Sequence, residues 1–289
     1  MRQRSISAVG VIVACLVPAF LGGPIWALAI AIFATVGMTE FDRFVEHLGF
    51  QPLRIGYLAI WLGCLIAAAG WSTDIAMLSL AVVLIVSSLA ALKRNNGSGS
   101  MVAWAMDLAG AIYLGLPAYL AIQLRRIEGD VSRNWLASTS DSLALDWNGF
   151  ERGLAWLLFV IVVTWLSDTG AYMLGRTFGR TPLFPSVSPK KTREGLAGGL
   201  IAAVLFGLLA NELLGLDLPV LVAAVVAMLL ATLGVFGDLI ESLMKRQANV
   251  KDSGTLIPGH GGMLDRIDAL LFTWTAGYFL ARFCDRYWG

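Results

Sequence analysis

The residues from 238 to 268 concentrate the chemistry of this chain: DLIESLMKRQANVKDSGTLIPGHGGMLDRID. A helix continuing past Asp238 places Asp238, Glu241, Ser242 and Lys245 on one face, at spacings of three, four and seven. Asp265 and Asp268 stand three apart at the start of a later apolar run. Carboxylates amid cations suit a hard divalent ion such as Mg2+, which takes oxygen ligands and shares them with substrate phosphates. Lys245, Arg246, Lys251 and Arg266 suit phosphate oxygens. Pro258-Gly259-His260-Gly261-Gly262 can make a tight turn whose backbone N–H groups approach an anion closely. Each part has a plainer use by itself. Asp265 and Asp268 serve equally as cap and first-turn acid of a helix, and Lys245 and Arg246 as anchors at a membrane surface. Their density in one stretch favours the phosphate-and-metal reading.

Two further acids lie inside apolar runs. Asp107 and Asp168 each sit about six residues from the inner end of a run, roughly 9 Å deep at 1.5 Å per residue. Asp238 falls near the same level. Intramembrane acids face a protein interior or a wet cavity. The expectation is a polar cavity in the cytoplasmic leaflet; for Asp107 a plain helix–helix hydrogen bond serves equally well.

The elements that must position these groups are set by composition. The chain has 289 residues, 57% hydrophobic and only 14% charged, against about 25% charge in a soluble domain. Mean hydropathy is +0.74. This excludes a water-soluble fold and a disordered chain, and a net charge of +1 excludes a generally basic nucleic-acid binder. Cys15, Cys64 and Cys284 form no CxxC, so neither a disulfide framework nor a zinc site is expected. Arg2 and Arg4 before an apolar run mimic a signal peptide, but no AxA-like site follows, so the first helix is expected to be retained.

A bilayer core needs about 20 apolar residues per helix. Apolar runs fall at 6–22, 25–40, 55–71, 75–92, 101–123, 154–174, 196–214, 218–240 and 267–284. With the N-terminus in the cytoplasm, fifteen of the 21 Lys and Arg residues fall in cytoplasmic segments and six outside. The expected fold class is an all-α polytopic membrane protein of about nine transmembrane helices, N-terminus cytoplasmic and C-terminus outside. Residues 1–160 read as lipid-facing scaffold helices. Residues 161–289 read as the catalytic region, with cytoplasmic loops 175–195 and 241–266.

The segment from Ser242 to Asp268 resembles the C-terminal motif of the phosphatidate cytidylyltransferases (CDP-diacylglycerol synthases). Ser242, Lys245, Arg246, Lys251, Asp252, Gly254, Pro258, His260, Gly261, Gly262, Asp265, Arg266 and Asp268 all fall in place. An upstream block is similar to the same family: Asp168, Ala171, Tyr172, Gly175, Phe178, Gly179, Ser188, Pro189, Lys190, Lys191, Thr192, Glu194 and Gly195. Two positions depart, Arg180 where a Lys is expected and Ala269 where a Ser often follows. The resemblance is sharp from about 165 to 270; the earlier residues match only as apolar helices.

The resemblance implies a nucleotidyltransferase that joins CTP and phosphatidic acid into CDP-diacylglycerol and pyrophosphate. It implies Mg2+, with a second cation left open. Asp238 and Asp265 are the foremost expected ligands, with Asp268, Asp252 and Glu241 orienting them or holding a second cation. Lys245, Arg246, Lys251 and Arg266 are expected on the triphosphate and the lipid phosphate, and Ser188, Lys190, Lys191 and Thr192 on a second phosphate-binding loop. Asp168, Tyr172, Ser242, Gly261 and Gly262 are carried over as substrate-binding positions. His260 is expected to touch phosphate or hold the turn, because a lipid phosphomonoester, with a second pKa of about 6, needs no base. Expected partners are CTP, phosphatidic acid and membrane lipid, with no nucleic acid; a homodimer is left open. The expected location is the bacterial inner (cell) membrane. The rival readings are a transporter with a cytoplasm-facing ion site, which predicts inverted repeats that the sequence lacks, and a polyprenol or lipid kinase, which would need a base to activate a hydroxyl.

Overall fold

The structure, a computed structural model, describes residues 2–94, 99–132, 151–254 and 261–288, without side-chain detail for 2–9 and 11. Among the described residues the chain forms α1 (Arg2–Leu21), α2 (Gly23–His47), α3 (Gly56–Ala69), α4 (Thr73–Arg94), α5 (Ser100–Arg125), α6 (Glu151–Phe178), α7 (Arg193–Leu214), α8 (Val220–Gln247) and α9 (Leu264–Trp288). A π turn at Ala111–Gly115 interrupts α5. Strands β1 (Pro182–Phe184) and β2 (Ser188–Thr192) make an antiparallel hairpin. Each of the nine apolar runs falls on a helix. Six helices, α2 and α4 to α8, are long and apolar enough to cross a membrane. Gly56–Ala69 and Ile12–Leu21 are shorter apolar helices.

Local chemistry sets the helix ends. Gly22, at φ 66, ends α1, and Pro24 opens α2, where its missing N–H costs nothing. Gly70 and Gly215 take the left-handed conformation just past α3 and α7. Thr192 caps α7 by accepting from the Gly195 N–H at 3.1 Å. Helix α8 continues beyond its apolar run to Gln247, because Leu243-Met244-Lys245-Arg246 are good helix formers, and stops before Asn249 at φ 54. The segment between α8 and α9 is therefore shorter than the loop 241–266 expected from the apolar runs.

The chain divides into two compact units. The first comprises Met1–Gln123 with Met244–Ile267, so the motif segment after α8 groups with the N-terminal helices. Here Trp26 Nε1 donates to the Ala121 carbonyl at 3.1 Å. Asp107, buried on α5, accepts from the Gly56 N–H at 3.1 Å and also faces the amides of Arg54 and Ile55. It thus serves as a cap for α3 supplied from another helix. Gly37 lets α2 approach Leu114 and Leu264, whose side chains a Cβ there would meet at 3.0 and 3.2 Å.

The second unit comprises Leu124–Leu243 with Asp268–Gly289. Small residues draw its helices together, the means available where lipid is as apolar as leucine. A Cβ on Gly170 would strike Ala202, and one on Gly198 would strike Leu174, so α6 and α7 lie nearly backbone to backbone. Thr164 donates to Thr273 at 3.0 Å, and Arg152 pairs with Asp285 at 2.7 Å. Large apolar side chains outside this packing, such as Met77, Leu78, Leu80 and Ile85 on α4, are exposed. That is the pattern of a lipid-facing surface.

Candidate active site

In the second unit a cavity of about 500 Å³ opens beside the hairpin. Asp168 and Tyr172 on α6, Lys190, Lys191 and Thr192 on β2, and Asp238 on α8 line it. Glu194 fixes the base of the hairpin by accepting from the N–H groups of Arg180 and Thr181, each at 3.1 Å. This anchored hairpin delivers Lys191, whose Nζ lies 2.6 Å from Asp238 Oδ2. Ser242, one turn further along α8, donates to Asp238 Oδ1 at 3.3 Å. Tyr172 accepts from Arg176 at 3.2 Å.

Asp268 joins this acidic group. A Cβ on Gly237 would collide with the Asp268 carbonyl, so α8 and α9 touch backbone to backbone beside Asp238. Asp268 sits in the repulsive field of Asp238, Glu241 and Asp168, and Glu241 is fully buried. Like charges gathered in low dielectric are relieved by a bound cation or by a shared proton. Lys191 supplies one charge.

The first unit holds a different arrangement. Lys245 Nζ donates to Asp265 Oδ1 at 2.7 Å. Asp265 Oδ2 accepts from the Gly262 N–H at 2.8 Å and from the Ser253 N–H and hydroxyl, each at 2.9 Å. Burial acts to raise the pKa of this carboxyl, but Lys245 and the Gly262 and Ser253 amides outweigh it and hold the pKa down to about 2. The Ser253 hydroxyl also lies 2.7 Å from Glu40 Oε2 on α2. Nearby, Arg43, His47 and Lys251 border a separate cavity of about 340 Å³.

The donor chemistry discriminates among the expected metal ligands. A carboxylate offers about four lone-pair sites. Asp265 meets Lys245 with Oδ1 and the Gly262 and Ser253 amides with Oδ2, which also shares the single Ser253 hydroxyl proton with Glu40. Asp238 meets two donors, and Asp268 accepts from the Ala269 N–H at 2.7 Å. Asp238 and Asp268 therefore fit a hard cation better than Asp265 does. No ready-made cage of three or more ligands occurs among the described residues, and Mg2+ does not demand one, since it usually keeps waters and shares phosphate oxygens.

The Cytidylyltransferase family profile matches residues 2–284. The chain belongs to this family. It is 30% identical over 285 residues to the phosphatidate cytidylyltransferase of Bacillus subtilis, covering 97% of each chain. It is 31% identical over 276 residues to that of Staphylococcus saprophyticus, covering 94% of this chain and 95% of the other. Against the Staphylococcus epidermidis protein identity reaches 43% over 122 residues. The enzyme is thus a nucleotidyltransferase and a multi-pass, all-α membrane protein.

The expected site residues divide between the two arrangements. Asp168, Tyr172, Ser188, Lys190, Lys191, Thr192, Asp238, Glu241, Ser242 and Asp268 belong to the second unit; Lys245, Arg246, Lys251, Asp252, Gly261, Gly262, Asp265 and Arg266 belong to the first. His260 and Pro258 lie outside the described residues. Glu40 was passed over by the sequence reading, although a carboxylate inside the run 25–40 was the same signal that drew attention to Asp107. Ser253 carried no signal, being one small residue in a turn.

Proposed function

We propose that the enzyme transfers CMP from CTP to phosphatidic acid, with Mg2+ held by Asp238 and Asp268, as a nine-span protein of the bacterial inner membrane whose N-terminus and site face the cytoplasm. The observation that carries the metal reading is the gathering of Asp168, Asp238, Glu241 and Asp268, of which Asp168 and Asp238 line the cavity beside Lys191. Such a group is suited to a metal–nucleotide complex.

The lipid phosphate is already largely dianionic near pH 7, its second pKa being about 6. One of its oxygens attacks the α-phosphorus of CTP. The new P–O bond forms as the bond to the β-phosphate breaks, and pyrophosphate leaves with that electron pair. No proton has to be removed, so no residue is needed as a base. Two polyanions must meet, and positioning and charge neutralisation dominate the barrier. A bound Mg2+ would neutralise the phosphate charge that develops on the leaving group. Lys190 and Lys191 hold phosphate from the hairpin, and Thr192 and Glu194 keep that hairpin in place. In the first unit, Lys245, Arg246, Lys251 and Arg266 are the motif cations suited to phosphate, and Asp265 fixes the direction of Lys245. Residues 161–289 carry the chemistry and residues 1–160 the lipid-facing scaffold.

The direct test is purified protein in detergent with radiolabelled CTP, phosphatidic acid and Mg2+, scored for a labelled CDP-lipid. Product that appears only with all three components is the expected result. CTP turnover independent of phosphatidic acid, or no CDP-lipid, refutes the reading.

A further inference from the structure

We propose that Glu40 is a positioning residue for this reaction, setting the turn that carries Gly261, Gly262 and Asp265 from a helix outside the sequence motifs. Glu40 lies on α2 and is 2% exposed. Its Oε1 accepts from the Met263 N–H at 2.8 Å; its Oε2 accepts from the Leu264 N–H at 2.8 Å and the Ser253 hydroxyl at 2.7 Å. Met263 and Leu264 open α9, where the first N–H groups have no intrahelical acceptor and the helix end is positive. Glu40 thus supplies from another helix the cap that the local sequence does not.

The glycines of the motif bear this out. A Cβ on Gly254 or on Gly262 would strike the Glu40 carboxylate, so both positions are kept bare by a side chain more than 200 residues away in sequence. Ser253 has one hydroxyl proton set between two carboxylates, 2.7 Å from Glu40 and 2.9 Å from Asp265. It links Glu40 to the Asp265–Lys245 pair. Moving Glu40 therefore moves the turn, Asp265 and the direction of Lys245 together.

The inference rests on the proposed role of the 245–266 segment in binding phosphate, so its test has one arm that needs no activity. In full-length protein in detergent, Glu40→Gln keeps the size of the side chain but turns one acceptor into a donor facing N–H or O–H donors. Amide hydrogen exchange in the peptide covering 262–264 should quicken at least tenfold, while the transmembrane peptides of α6 and α7 stay unchanged. In the CDP-lipid assay kcat should fall about 100-fold, the scale of a misplacement near 1 Å, with little change in the KM for CTP. Ser253→Ala should lose activity in the same direction, and the double variant should lose no more than the worse single variant. Glu40→Asp, which keeps the charge on a shorter arm, should recover part of the loss. Unchanged exchange at 262–264 overturns the proposal, as does a double variant whose losses multiply. Quickened exchange in a protein whose wild type makes no CDP-lipid supports the clamp and refutes the proposed reaction instead.

Discussion

Replacing Asp265 by Asn separates a metal ligand from a loop anchor. The carboxylate meets Lys245 with one oxygen and three N–H or O–H donors of Gly262 and Ser253 with the other. An Asn has one acceptor oxygen and one donor nitrogen. The neutral amide loses the ion pair in either orientation, and its nitrogen meets a donor whether it faces Lys245 or the turn. The side chains of Lys245 and Asp265 are 13% and 12% exposed, so the pair is nearly but not wholly dry. Breaking a fully buried pair costs about 3–5 kcal/mol and an exposed one less than about 1, which puts this change at about 2–4 kcal/mol. At about 2–4 °C per kcal/mol, the midpoint of thermal unfolding in detergent should fall by roughly 4–16 °C. The half-saturating Mg2+ concentration should barely move. Asp238→Asn should do the reverse. Its partner Lys191 is 25% exposed and Asp238 itself 36%, so less than about 1 kcal/mol is at stake in the fold while turnover is abolished. The assay is a thermal scan of both variants beside a Mg2+ titration of CDP-lipid formation. An Asp265→Asn protein that melts like the wild type but needs at least tenfold more Mg2+ would return Asp265 to the metal and refute the lone-pair argument.

Gly261 has φ +78, and a Cβ there would collide with the Asp265 carboxylate, so Gly261→Ala should cost about 1–2 kcal/mol in backbone strain alone and should quicken exchange at residues 262–265. The Asp265 carboxyl is held at about 2, below its unfolded value of about 3.9. Its stabilising contribution is therefore complete above about pH 4 and is lost only as pH falls towards 2. Asp265→Asn and wild type should show parallel pH–stability curves from pH 5 to 8, and a divergence there would contradict the depressed value. Cysteines placed at the exposed positions Ser186 and Gln247 should react only with a membrane-permeant thiol reagent in intact cells, the native Cys15, Cys64 and Cys284 being buried; labelling by an impermeant reagent overturns the cytoplasmic orientation. His260→Asn should lose less activity than Lys251→Ala across pH, whereas a loss of about 100- to 10,000-fold together with the acid limb would make His260 a general base.

Much of the helical frame was legible because apolar runs of the length of a bilayer leave few alternatives, and all nine runs fall on helices. The helix ends were less legible. Composition marks where apolar residues stop near 240, and the helical spacing of Asp238, Glu241, Ser242 and Lys245 points to the continuation that α8 makes to Gln247. The hairpin 182–192 was hidden inside a loop expectation, since two short strands give no usable periodicity. Lys191 and Asp238 were both named from the sequence, but their pairing was not, because it depends on how that hairpin is tied down by Glu194.

The fate of the carboxylates shows why residue type and spacing stop short of role. Asp238, Asp265 and Asp268 are chemically identical and lie on two consecutive helices, so the sequence gives no reason to separate them. The separation comes from what surrounds each one. Asp265 faces a turn of N–H groups and a lysine, and such donors engage both of its oxygens. Asp268 faces other carboxylates, which leave its lone pairs available and raise the need for a cation. Glu40 extends the same logic. A carboxylate in an apolar run is costly unless donors meet it, and the donors that meet Glu40 are the first amides of α9 and the hydroxyl that also touches Asp265. An acid remote from every motif is thereby tied to the motif's geometry. A search of the family's chemistry confined to motif residues would miss it, whereas asking where the first N–H groups of α9 are satisfied leads to it directly.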